Sequence, residues 1–157
     1  MKKIFAILLI VAIAISLTAC MGTGADTGST KATEVKVEDV DIKNYEKTFD
    51  GMQQYLKDLK LISGDKIELQ ADLIGAKKGV RYIADKTNFV EFYAFDLDNM
   101  TEEGQKMYDA ISKGESYDPL GLQELKGAVS KSGKYMMLYK ADSTFDYSKI
   151  EKEFKKF

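Results

Sequence analysis

The chain has 157 residues, with 23 Lys and Arg against 25 Asp and Glu, no His, and one Cys, at position 20. Without imidazole, hydrolases that pair a Ser or Cys nucleophile with a His base are excluded, as are His-bearing zinc sites; a lone Cys excludes thiolate clusters and internal disulfides. A net charge of −2 lacks the basic excess that nucleic acid or an anionic lipid surface attracts, while 45% apolar residues suffice for one domain with a core.

The chain opens Met1-Lys2-Lys3, followed by an uninterrupted apolar run from Ile4 to Ile15. Then come Ser16, Leu17, Thr18, Ala19 and Cys20. A charged start, a short apolar stretch and small residues before a cut describe a secretory signal peptide. The rival reading is a retained transmembrane helix, which needs about 20 apolar residues. This run is shorter and has no basic stop-transfer cluster. Leu17-Thr18-Ala19-Cys20 resembles the lipobox of bacterial prolipoproteins. The resemblance implies cleavage before Cys20 and a diacylglyceryl group on its thiol, which makes Cys20 the lipid-attachment residue. Each buried methylene contributes about 0.8 kcal/mol and stable anchoring takes two chains, so diacylglycerol alone holds a protein on a membrane. Loss of Lys2 and Lys3 takes the basic count from 23 to 21 against 25 acids, hence −4 for the mature chain. The expected layout is a signal peptide at 1–19, a lipid-anchored tether at 20–40 and one domain at 41–157. Apart from Met21, residues 21–34 are Gly, Thr, Ser, Ala and a few charges, too polar to fold alone.

Tyr45, Phe49, Met52, Leu56 and Leu59 recur at steps of four and three, which predicts a helix over 44–62. Asp41 or Asn44 is expected to cap its start, and Gly64 to take the left-handed position after it. Residues 65–76 fit two patterns. Ile67, Leu69, Ala71 and Leu73 alternate like a strand; Ala71, Leu73 and Ile74 fit a short helix ending at Gly75, which is favoured. Aromatic and β-branched runs on either side of Asp85-Lys86-Thr87-Asn88 predict a hairpin over 79–97. Its simplest register sets Arg81 opposite Glu91. Residues 89–97 are apolar on both faces, as in a central strand. Thr101, followed by Glu102 and Glu103, starts a helix over 101–113 with Met107 and Ile111 inward and Gly114 as its stop. After a loop carrying Pro119, a second hairpin spans 125–141 around Lys131-Ser132-Gly133. A helix over 146–157 closes the chain, with Asp146 as cap and Tyr147, Ile150, Phe154 and Phe157 at helical spacing.

This order predicts an α+β domain: an antiparallel sheet of about four strands, with the helices packed mainly on one face. It also hints at a duplicated helix-hairpin unit, since Gly75-Ala76 through Gly79 and Tyr82 faintly echo Gly127-Ala128 through Gly133 and Tyr135.

The candidate sites divide between chemistry and packing. Asp96, Asp98, Glu102 and Glu103 offer oxygen ligands, but an EF-hand fails at Met100 and helix capping explains the run better. Arg81 is the only Arg; it fits either a ligand clamp or a cross-hairpin pair with Glu91. Tyr82, Tyr93, Tyr135 and Tyr139 fall in predicted strands, where they form either a binding platform or core. Their alternation with Val80 and Met137 favours core. Met136-Met137, without His or Cys support, reads as core filling. Arg81, Tyr93 and Tyr139 are thus the candidate ligand contacts. No catalytic constellation, cofactor or metal is expected. The functional expectation is a lipid-anchored, extracytoplasmic, non-catalytic binding or interaction module, held to the membrane through Cys20 and meeting an envelope protein or wall component rather than nucleic acid. An accessory or structural subunit of an envelope or transport complex is the alternative, and a carboxylate-dependent enzyme a third. The layout of lipobox, short tether and Lys-rich α+β domain resembles the small lipoproteins of Gram-positive bacteria, which implies an envelope location and carries over no site residue except Cys20.

Overall fold

The computed structural model describes residues 36–119 and 121–157. The signal peptide, the lipobox with Cys20 and most of the expected tether lie outside these residues. The described chain has structure before the expected boundary at 41. Val37–Asp39 form a 3₁₀ turn, and Val40 and Ile42 pack against the core.

The first helix, α1, is Phe49–Asp58, shorter than the predicted 44–62. Asp41 does accept a backbone bond, from Lys43 N at 3.0 Å, but it starts only a 3₁₀ turn at Ile42–Asn44. The cap of α1 is Thr48, whose Oγ1 accepts the Gly51 N–H at 3.0 Å. At the other end the left-handed position falls to Lys60 (φ 56°), not to Gly64. Leu61 N donates to Leu56 O at 3.0 Å and Lys60 N to Lys57 O at 2.8 Å, which closes the helix by a Schellman motif. A lysine holds this strained position because Leu61 and Ile62 beyond it pack into the core.

Residues 65–76 realise both of their patterns. Ile67–Glu68 form a short strand, β1, and Ala71–Ile74 one 3₁₀ turn ended by Gly75 at φ 69°. The favoured helix is therefore a single turn. Four longer strands follow: β2 (Ala76–Ile83), β3 (Phe89–Phe95), β4 (Leu125–Val129) and β5 (Tyr135–Lys140). They make one sheet in the order β1-β2-β3-β5-β4, antiparallel throughout, so the sheet has five strands where about four were expected. The β2–β3 turn is set by Asp85, whose Oδ1 accepts from Thr87 N and Asn88 N, both at 2.8 Å. The Asn88 side-chain bond, and then these two backbone bonds, pull the Asp85 carboxyl down to about 2.

Helix α2 is Glu102–Ser112, capped by Thr101 Oγ1 on Gly104 N at 3.1 Å. Helix α3 is Ser148–Phe154, with Tyr147 rather than Asp146 at the cap position. Asp146 instead turns the entry by accepting from Ser148 N at 3.0 Å.

The strand alternation divides the core between two faces. Val80, Tyr82, Val90, Phe92 and Met137 lie on one, under Met52 and Leu56 of α1 and Ile150 and Phe154 of α3. Tyr93, Phe95, Met136 and Leu138 lie on the other, against Met107 and Ile111 of α2. Two helices share a face as expected, and α2 covers the opposite one. Full burial of such side chains stabilises by about 1.5–3 kcal/mol each, before the entropy of ordering them. Met136 and Met137 are both fully buried, on opposite faces. The suggested duplication meets a geometric obstacle. A two-fold axis normal to the sheet would exchange β2–β3 with β5–β4, but it would keep α1 and α2 on one face. They lie on opposite faces.

Candidate functional site

The face under α2 is covered only in part. Beyond Tyr93 and Leu138 it continues into a region that none of the described helices reaches, set by the register of three strands. Ile67 pairs with Arg81, Arg81 with Glu91, Ile83 with Phe89, and Glu91 with Leu138. All these side chains point to the same side. Ile67 is 47% exposed and Ile83 52% exposed.

At the centre of this region sits Glu91, 5% exposed. Arg81 Nε donates to its Oε1 at 2.8 Å, and Nη2 of the same guanidinium donates to that oxygen as well. The Tyr93 hydroxyl donates to Oε2 at 2.8 Å. Both carboxylate oxygens are therefore engaged, as a buried charge requires. Burial, and then the adjacent Glu91 carboxylate, hold the Tyr93 phenol well above its ordinary range, against the opposing pull of Arg81. The Arg81 guanidinium lies over the Phe89 ring, 4.2 Å from its centroid, and the Lys140 ammonium is 5.6 Å from the same ring. The result is a fixed cation on an aromatic base between two exposed isoleucines. The Arg81 side chain is 36% exposed. Such a surface can accept a carboxylate at the guanidinium and an apolar group at Ile67 and Ile83.

Of the three candidate contacts, the structure brings Arg81 and Tyr93 together on Glu91 and separates Tyr139 from them. Tyr139 faces the α3 layer. Its ring stacks on Tyr147 at 4.2 Å and 20°, and its hydroxyl donates to Glu151 at 3.2 Å. Tyr93 is itself a buried brace rather than a contact. The pairing of Phe89 with Arg81 was not foreseen, although Phe89 and Glu91 share a face by simple alternation.

The tyrosines form no platform. All nine hydroxyls donate to protein acceptors, and five of those are carboxylates: Asp58, Glu153, Glu91, Glu103 and Glu151. The others go to Gln53 and to the carbonyls of Gly133, Lys47 and Phe89. Three of the four residues of the acidic run are likewise engaged. Asp96 pairs with Lys77 at 2.6 Å, Glu102 with Lys106 at 2.8 Å, and Glu103 accepts from Tyr117. Among the described residues no group of three acidic or thiol side chains converges to hold a metal, and no helix is long and apolar enough to cross a membrane. Compared with protein-family models, with curated proteins and with solved structures, the chain matches none.

Proposed function

We propose that this chain is a lipid-anchored, extracytoplasmic lipoprotein whose α+β domain is a non-catalytic binding or interaction module. The lipobox at Leu17-Thr18-Ala19-Cys20 supports the anchor. The observation that carries the binding role is the Arg81 guanidinium, held by Glu91 and stacked on Phe89 at the uncovered part of the sheet. A rigid cation beside exposed apolar side chains recognises a partner surface without catalysing anything. Glu91 is the one buried carboxylate among the described residues, and both its oxygens are taken by structural donors. That arrangement weighs against carboxylate chemistry, which needs two such groups facing each other. Exposed Ile67 and Ile83 equally support an accessory subunit of an envelope or transport complex, where they would contact a neighbouring protein.

Two measurements test the proposal. Intact mass and membrane partition of the native protein, beside Cys20→Ser, are expected to show cleavage before Cys20, diacylglyceryl mass and membrane retention that the variant lacks. A released protein with an unmodified thiol refutes the anchor. A photo-crosslinking residue at position 83 is expected to capture a discrete envelope component, and Arg81→Glu to abolish the capture. Equal capture from an exposed position on α3 refutes the assignment of this face.

A further inference from the structure

We propose that the outer edge of β4 is a docking site for an extended acidic peptide segment, which adds to the sheet as a further strand. The proposal does not depend on the lipid anchor or on the Arg81 face.

The hydrogen-bond parity of β4 is legible at both of its ends. Ala141 N donates to Glu124 O and Ser130 N to Tyr135 O, both at 2.9 Å. The even-numbered residues of β4 thus turn their backbone groups inward to β5, in the register Lys126↔Tyr139 and Ala128↔Met137. The odd-numbered residues turn outward. Leu125 already uses its outward pair: Tyr117 N donates to Leu125 O and Leu125 N to Tyr117 O, each at 2.8 Å. The two residues therefore form a one-residue antiparallel stub of an added strand. The chain then leaves the edge, because Glu115 N turns away to cap α2 on Ala110 O at 2.9 Å. The outward N–H and C=O groups of Gly127 and Val129 find no partner among the described residues.

Those groups floor a cleft of about 430 Å³. Its walls come from both layers: the end of α2 at Ile111–Gly114 on one side, and Glu151 and Lys155 of α3 on the other. A single extended backbone entering this cleft meets four unpaired backbone groups at the two-residue spacing that strand addition uses.

Charge selects the occupant. Lys113, Lys126 and Lys155 line the cleft, against Glu151 alone. Glu151 is neutralised by Lys155 and also accepts from Tyr139. Lys113 and Lys126 make no ion pair among the described residues. Edge lysines ordinarily deter strand pairing, and a second copy of this edge would bring a further Lys126 to an already basic cleft. An acidic segment turns the same lysines from a deterrent into contacts.

The test titrates ¹⁵N-labelled full-length protein, in detergent micelles, with a blocked peptide alternating glutamate and valine, and then with one alternating lysine and valine. The glutamate peptide is expected to slow exchange of the Gly127 and Val129 amides and to shift resonances around 111–114, 126–129 and 151–155. Val129→Pro removes one outward N–H while leaving the ladder to β5 intact, and is expected to weaken binding about tenfold. Lys126→Glu, at an exposed position, is expected to do at least the same and decides the matter alone if the proline variant fails to fold. Equal protection by the lysine peptide, wild-type affinity in Lys126→Glu, or shifts away from the cleft would overturn the proposal. So would protection of the same two amides by self-association without peptide, which would make the edge an interface between copies.

Discussion

Removal of the Arg81 guanidinium exposes how much the uncovered face depends on one ion pair. In Arg81→Met the stem and its contact with Phe89 survive in part, but Glu91 keeps only the Tyr93 hydroxyl. Stripping one partner from a fully buried pair costs about 3–5 kcal/mol, because a charge is left without compensation. Here Glu91 is 7% exposed at its side chain and Arg81 36%. Water can thus reach the vacated side of the pair, and the cost falls to about 2 kcal/mol. That is a large share of a total near 5–15 kcal/mol. Urea unfolding followed by far-UV circular dichroism at neutral pH measures it, since the chain has no Trp for fluorescence. Replacing both partners, Arg81→Met with Glu91→Met, is expected to be less damaging than either single change, because no unpaired charge remains. Arg81→Lys falls between, having lost the fork and the flat stacking surface. A cost below about 0.5 kcal/mol for Arg81→Met, or strict additivity in the double variant, would show that Glu91 is not held by Arg81.

Thr48→Ala and Thr101→Ala each remove a cap bond to the third helical N–H, and each is expected to cost about 1 kcal/mol in the same unfolding assay; no change in either midpoint would count against the capping geometry. Gly127→Ala is expected to be strongly destabilising, because a Cβ there would lie 1.8 Å from the Met137 carbonyl oxygen in the neighbouring strand. A crystal structure of that variant with β4 unmoved would contradict the register. Alkaline pH is expected to unfold the domain. Burial and Asp58 raise Tyr45 to about 12, and burial and Glu151 raise Tyr139 to about 12, while Tyr93 is higher still. Folded phenols thus bind protons more tightly than unfolded ones, whose pKa is about 10, so their stabilising contribution is complete below about pH 10 and is lost as pH rises toward 12. Phenolate absorbance that develops fully at pH 10 while the circular dichroism stays native would refute that reading.

Much of the fold was legible because apolar periodicity reports which side of an element is buried. The 3.6-residue stripes of α1 and α2 and the alternation of β3 and β5 follow directly from Met52, Leu56, Met107, Ile111, Phe92 and Met137. Periodicity says nothing about which layer a helix joins: α1 and α3 share the one face expected of most helices, and it did not single out α2 for the other. The information was present in another form. Residues 89–97 were apolar on both sides, and a strand buried on both sides needs cover on both. Helix ends were missed for a local reason. Asp41 and Thr48 are both good cap residues, and only the packing of Phe49 and Met52 decides which one starts the helix. At the candidate site, the Arg81–Glu91 pairing followed from hairpin register. The Tyr93 brace and the Phe89 stack needed the sheet face itself, and Tyr139 was separated from them by the alternation that had placed it with Met137.

The same alternation explains why an ion pair sits in the middle of a sheet face at all. Beyond the reach of α2, apolar residues in place of the pair would join Ile67, Ile83 and Phe89 into one bare hydrophobic patch, the kind of surface that associates without discrimination. The Arg81 guanidinium that Glu91 holds over Phe89 interrupts the patch, and the pair also fixes the pairing of β2 with β3. A slip by one residue would drive Glu91 into the layer now filled by Phe92, under α1 and α3. A slip by two would restore the faces but separate Glu91 from Arg81. The pair therefore penalises both of the nearest wrong registers, a role in which buried ionic groups are best attested. Its consequence for recognition is that the outward guanidinium is held in place before any partner arrives. A partner carboxylate meeting Arg81 need not order a free side chain, which lowers the entropic cost of the encounter.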